Sequence, residues 1–226
     1  MFATAMIVYE KSQERVDNYK EIQKIIPELI LFPAIDSINH YDKYRDYSLK
    51  MNYITTEYIN KTTNLKGKIG CNISHIELLK HCMNLKDDWF LILEDDVALL
   101  NYKTELIDSL IESANLNNTN YIQLYTNPKF INTQRKATCI KENLYKMIPQ
   151  WHTSTYLISK KGIDIILSKL PYDNIIDEIY SRYISELNSL CYINTVFLTE
   201  GAKSSKDKSS KFGSLLWGIK KNPSIL

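Results

Sequence analysis

The sequence predicts a single α/β domain, a sheet flanked by helices, and three observations carry that reading. Short apolar, β-branched runs alternate with stretches of helical periodicity along most of the chain. One run, Trp89-Phe90-Leu91-Ile92-Leu93, is apolar at every position, as a strand covered on both faces must be. The 226 residues, 44% hydrophobic and 24% charged, suffice for one core without help from disulfides or metal.

Each element follows in order. Residues 4–9 (TAMIVY) read as a first buried strand, followed by a polar helical stretch from Ser12. ELILFPAID (28–36) reads as a second strand ended by Pro33, and 37–66, rich in Tyr, Asn and Asp, as irregular structure with a helical turn or two. Gly67 and Gly70 are expected to punctuate the chain just before a strong helix. In that helix Cys71, His75, Leu78, Cys82 and Leu85 recur at steps of four, three, four and three, which is one continuous face. After the strand at 89–93 come a helix at 103–114, a strand at 121–126 and short strands and turns over 130–149. A strand at 154–159 leads to a helix at 160–169. Ile175, Ile176, Ile179, Tyr180, Tyr183, Ile184 and Leu187 mark the clearest amphipathic helix, and 191–199 a closing strand. The Lys/Ser-rich stretch beyond has the composition of a segment that does not pack, so the domain is set at 1–202 and a tail or lid at 203–226.

Composition excludes several classes. A net charge of +2 is too near neutral for a nucleic-acid binder that works by bulk electrostatics. Cys71, Cys82, Cys139 and Cys191 lie far apart, and with the four histidines they form no CxxC or HxxxH pattern, so no zinc site is expected. The first residues lack a basic n-region and a cleavage site, and no run approaches the roughly 18 apolar residues of a membrane span. The expected setting is a reducing cytoplasm.

The sharpest chemical signal is Glu94-Asp95-Asp96, directly after the apolar strand. Three adjacent carboxylates at the end of a buried strand repel one another and lose hydration, so they call for a cation or strong hydrogen bonds. Open α/β sheets place ligands at that edge, and a hard divalent ion, Mn²⁺ or Mg²⁺, bridging to a diphosphate would satisfy the charge. The plainer alternative is an acidic turn with Asp96 near the N-cap of the next helix. The stretch from Gly67 to His75 offers glycines for close backbone approach and a helix start that can hold an anion. His75 points inward on an apolar face, where a lone histidine is more often a satisfied core residue than a catalyst. The Trp151–Ser159 stretch can be a plain core strand before a Ser-capped helix. Asp173, Asp177 and Glu178 can simply favour a helix start, with Glu178 paired to Arg182 at i+4.

Taken together and in order, GKIGCNISHIELLK, WFLILEDDV, TYLISKKGIDIIL and a downstream Asp-Glu resemble the family 25 glycosyltransferases, which include bacterial lipooligosaccharide and collagen galactosyltransferases. Arg15 after the first strand and Ala34 with Asp36 after the second extend the resemblance over about residues 4–180. Trp151 and the strand Tyr156-Leu157-Ile158-Ser159 look closer to the collagen-type members. The distal FLTEGAKSSKDKSS departs from the family's Pro-rich strand and Ser-Asp-Ile element. The resemblance implies a GT-A-type nucleotide-diphospho-sugar transferase fold with a mostly parallel sheet. It implies transfer of a galactosyl or glucosyl group from a UDP-sugar to a glycan or hydroxylated protein side chain, metal-dependent and inverting. It gives Asp96, with Asp95, as metal ligands; Arg15, Gly70, Ser74, His75, Glu94 and Asp95 as donor-binding; and Asp177, then Glu178, as the base. The segment from Lys203 to Lys211 is expected to act as a lid near the donor phosphates. Peripheral contact with a membrane stays open, as do three alternatives: another nucleotidyl or phosphoryl transferase, a non-catalytic nucleotide-sugar-binding remnant, or a structural subunit.

Overall fold

A computed structural model describes residues 1–62, 65–100, 102–193 and 196–199; the expected tail or lid at 203–226 lies outside the described residues. The strands are β1 (Phe2–Val8), β2 (Ile30–Pro33), β3 (Trp89–Glu94), β4 (Val97–Leu99), β5 (Tyr121–Gln123), β6 (Cys139–Lys141), β7 (Leu144–Lys146), β8 (Thr155–Ser159), β9 (Leu190–Tyr192) and β10 (Phe197–Thr199). The helices are α1 (Gln13–Ile25), α2 (Tyr41–Lys50), α3 (Thr56–Lys61), α4 (Leu65–Met83), α5 (Thr104–Leu116), α6 (Pro128–Gln134), α7 (Lys160–Leu167) and α8 (Ile176–Arg182). An eight-stranded sheet runs β2-β1-β3-β8-β5-β9-β7-β6, and β4 pairs with β10 beside it.

The all-apolar strand β3 is covered on both faces, as expected. Side chains alternate across a strand, so Phe90 and Ile92 join the core formed with Ile69, Ile73 and Ile163 of α4 and α7. Leu91 and Leu93 join the opposite core with Ile22 of α1 and Ile107 of α5. Each such side chain contributes about 1.5–3 kcal/mol on burial, so β3 is a firm base for whatever stands at its end.

The sheet is α/β with helices on both faces, but it is mixed. β1–β2, β1–β3 and β5–β9 pair in parallel, whereas β8 runs antiparallel to both β3 and β5, and β7 runs antiparallel to both β6 and β9. The inversion of β8 matters for the site. Its first residues, not its last, lie beside the carboxyl end of β3, and the Glu94 N–H donates to the Ser154 carbonyl at 2.8 Å.

Several sequence expectations need correction. Gly67 and Gly70 do not precede the strong helix; α4 starts at Leu65 and runs through both. Gly70 is there because a Cβ would collide with the Ile35 carbonyl and the Ser37 hydroxyl, so its role is close packing of the helix on the loop after β2. The 37–66 stretch holds two real helices, α2 and α3. The amphipathic run from Ile175 is helical only to Arg182, and turns carry the buried Leu187 onto the same core. The 191–199 strand is split, β9 joining the main sheet and β10 pairing with β4.

Candidate active site

The parallel ends of β1, β2 and β3 and the start of β8 meet at one edge of the sheet, where all three acids of the triplet stand. Asp95 is tied down twice: its Oδ2 accepts from the Tyr9 N–H at 2.7 Å, and its Oδ1 lies 3.3 Å from Arg15 Nη1. Asn18, one helical turn after Arg15 on α1, donates through Nδ2 to the Asp95 and Val97 carbonyls at 3.0 and 2.8 Å, bracing the turn that follows β3. Glu94 faces α4 instead. Its Oε1 lies 3.1 Å from His75 Nε2 and accepts from the Thr153 hydroxyl at 3.1 Å. Asp96 differs from both: its Oδ1 is buried and has no hydrogen-bond partner.

The charges follow from these surroundings. Burial pushes the Asp96 carboxyl up to about 7, and repulsion from Glu94 and Asp95 outweighs the pull of Arg15. Asp95 is also raised, by burial first, with Arg15 and the Tyr9 N–H opposing. Burial acts the same way on Glu94, yet the hydrogen bond and charge of His75 and the Thr153 hydroxyl overcome it and hold this carboxyl below its ordinary value. The plain reading of Asp96 as a helix N-cap does not hold, because α5 starts at Thr104. A half-buried carboxylate whose inner oxygen has no partner, set among like charges, is instead a donor that a hard divalent cation fits.

Helix α8 brings a fourth acid to this edge. Asn72 of α4, fully buried, donates to the Asn174 carbonyl at 2.9 Å and accepts from the Ile176 N–H at 2.8 Å, pinning the start of α8. Asp177, in the first turn, then accepts from the Thr153 hydroxyl at 2.6 Å. That hydroxyl has one proton and two carboxylate neighbours, Asp177 and Glu94. Burial and the nearby Glu94 raise Asp177 above its ordinary value.

The predicted residues are thus partly assembled. Arg15, His75, Glu94, Asp95, Asp96 and Asp177 converge on one edge. His75 is 1% exposed, and its Nδ1 lies 3.0 Å from the Tyr156 hydroxyl. Ser74 and Gly70 lie in the interior of α4. The Ser74 hydroxyl donates to the Gly70 carbonyl at 2.7 Å and accepts from the Ile35 N–H at 2.9 Å, so this pair locks the loop after β2 and does not form a helix-start anion site. Arg182 does not pair with Glu178; its Nη1 bridges Asp173 at 2.7 Å, because the short α8 turns Arg182 toward the Pro171–Asn174 loop. A groove of about 460 Å³ opens between α1 and β4, and of the site residues Arg15, Asn18 and Asp95 line it.

Sequence reasoning missed Asn72, Thr153, Tyr156 and Asn18 as members of the site. Asn18 had a signal, since it follows Arg15 by three residues on one helix. Thr153 lies inside the Trp151–Ser159 stretch that the sequence singles out, but its own role could not be read there, because its place depends on β8 running antiparallel. His152, just before it, has φ 118°, a left-handed conformation held by its Nε2 contact with Asn127 Nδ2 at 3.0 Å and by the edge of Tyr125.

An α/β sheet whose carboxyl edge gathers a carboxylate cluster, a bridging hydroxyl and an arginine defines a class of enzymes that act on ligands held at that edge. Residues 4–179 match the model of glycosyltransferase family 25 (LPS biosynthesis protein), and the chain belongs to that family. It is a sugar-transferring enzyme. A comparison with curated proteins returned no match. Among solved structures, apo mouse xyloside xylosyltransferase 1 is 8% identical, with TM-score 0.43 over 85% of this chain and 84% of that one. UDP-glucose pyrophosphorylase complexed with UDP-glucose is 11% identical, with TM-score 0.46 over 85% and 90%. Galactosyltransferase LgtC with donor and acceptor sugar analogues is 13% identical, with TM-score 0.40 over 82% and 66%.

Proposed function

We propose that this glycosyltransferase moves a hexosyl group, galactosyl or glucosyl, from a UDP-sugar to a hydroxyl of a glycan or hydroxylated protein side chain, with inversion. The observation that carries this reading is the orphaned Asp96 carboxylate beside Glu94 and Asp95. Asp96, with Asp95, would hold Mn²⁺ or Mg²⁺, which when bound supplies Lewis-acid charge opposite the diphosphate. Arg15 balances the acids beside the donor, while His75 and Thr153 keep Glu94 ionised and aimed at the donor sugar. Gly70 and Ser74 serve the donor site by fixing the loop after β2.

Asp177 is the base. It approaches from α8 rather than from β3, as an inverting transfer requires, and its raised affinity for a proton suits removal of one from an acceptor hydroxyl. Glu178, next along α8, is the second candidate. The reaction is assigned to the cytoplasm, with peripheral membrane contact where the acceptor is lipid-linked. The test is a panel of UDP-sugars with Mn²⁺, followed by UDP release, because slow hydrolysis needs no acceptor. One hexose donor should be hydrolysed, and a chelator should stop it. Neither binding nor hydrolysis of any UDP-sugar would leave a non-catalytic relative of the fold.

A further inference from the structure

Cys71, His75 and Glu94 each offer one ligand atom, a sulfur, an imidazole nitrogen and a carboxylate oxygen, and all three atoms lie within 4.8 Å of one another. Two rigid elements hold them: Cys71 and His75 stand four residues apart on one face of α4, and Glu94 ends β3. His75 Nε2 and Glu94 Oε1 are 3.1 Å apart, close to the ~3.3 Å between two ligands of one tetrahedral zinc ion. The outer contacts are also those of a metal centre. His75 meets the Tyr156 hydroxyl through Nδ1, which leaves Nε2 as the coordinating atom, and the Thr153 hydroxyl orients Glu94. Burial first, then the nearby Glu94, Asp177 and Asp96, pushes the Cys71 thiol well up, so a cation is what would hold it as the thiolate.

We propose that Cys71, His75 and Glu94 form a Zn²⁺ site with a water in the fourth position, chemically unlike the oxygen-only position at Asp96. On binding, a sulfur–zinc bond replaces the thiol S–H and the proton passes to solvent, so affinity rises with pH. Occupancy draws His75 and Glu94 away from the donor, so zinc stops transfer; that consequence rests on the function proposed above, whereas the site itself does not.

The test uses the full chain without substrates. Added Co²⁺ should give a thiolate-to-cobalt charge-transfer band that Zn²⁺ displaces. The band should vanish in Cys71→Ala and in the size-matched Cys71→Ser, and persist in Cys139→Ala, whose thiol is exposed. Zn²⁺ affinity in Cys71→Ala should fall by about 100-fold or more. No thiolate band in the parent chain, or one that survives in Cys71→Ala, overturns the site. In turnover with Mn²⁺, Zn²⁺ should inhibit the parent and spare Cys71→Ala. Cobalt and zinc binding without inhibition would keep the site and overturn the placing of His75 and Glu94 at the donor.

Discussion

The two ends of β3 are built from the same strand and the same two cores, yet their polar groups are treated in opposite ways. At the amino end, the Trp89 indole N–H donates to Asn115 at 3.2 Å and the Lys160 ammonium to the Leu85 carbonyl at 2.6 Å. The Ser159 hydroxyl donates to Asn120 at 3.0 Å and accepts from the Gly162 N–H at 3.0 Å, capping α7. At the carboxyl end, Asp96 Oδ1 has no partner, Asp95 and Asp177 are raised, and one threonine proton serves two carboxylates. Among the described residues at the amino end only a hydroxyl, Thr119 Oγ1, goes without a partner beside these paired groups, whereas at the carboxyl end it is carboxylates that are left short, as a ligand site would be.

The largest effect should come from Asp96→Asn. Metal-dependent transfer should drop by about a thousandfold or more, the scale of a lost Lewis-acid contribution of several kcal/mol. Stability should move the other way. With its carboxyl raised to about 7, folded protein holds a proton that the unfolded chain gives up near its ordinary value. The stability of the metal-free parent therefore falls as pH climbs from about 4 to 7, and the loss is complete above 7. The amide has no such proton, so chelator-treated Asp96→Asn should exceed the parent by about 2 kcal/mol at pH 8 in urea unfolding and by little at pH 4. A variant that loses both activity and stability would make this end no different from the other.

The next effect separates neighbours on α8. Asp177→Asn should lower transfer by roughly 10²–10⁴-fold while UDP-sugar binding persists, and Glu178→Gln should change transfer by no more than about threefold. Equal losses in both variants would remove Asp177 from the role of base. Smaller again is Thr153→Val. Its hydroxyl lowers both Asp177 and Glu94, so without it both acids hold their protons to higher pH. The acid limb of the pH–rate profile should move upward, with transfer near neutrality reduced about 10–100-fold, the value of a hydrogen bond to a charged group. Thr153→Ser should restore the profile, and an unmoved profile in Thr153→Val would show that the bridge does not govern the base.

The same contrast explains what the sequence made legible. The all-apolar run at Trp89–Leu93 and the acids after it are local features, so both the strand and the edge could be read directly. Ser159 as a cap was legible for the same reason. The direction of β8 was not, because a five-residue apolar strand carries no mark of its orientation; with it went Thr153 and its bridge to Asp177. Gly70 misled because a glycine needed for helix–loop contact looks the same in sequence as one that begins a helix. Asn72 and Tyr156 are polar residues whose partners lie 102 to 104 and 81 positions away, respectively, and no periodicity encodes such distances.

The smallest effect belongs to the quiet end and serves as the control for the rest. Ser159 closes β8 and caps α7, so Ser159→Ala removes the acceptor for the Gly162 N–H and leaves Asn120 Oδ1 without that donor. Loss of an N-cap hydroxyl costs about 1 kcal/mol, which for a chain of this size lowers the melting temperature by about 2–4 °C. β3 separates this cap from Asp96, and its apolar side chains between the two ends are packed into the two cores. Transfer by Ser159→Ala, measured well below its melting temperature, should therefore match the parent. A fall in transfer with an unchanged melting temperature would show that the two ends are coupled through the strand, and the division of labour between them would no longer stand.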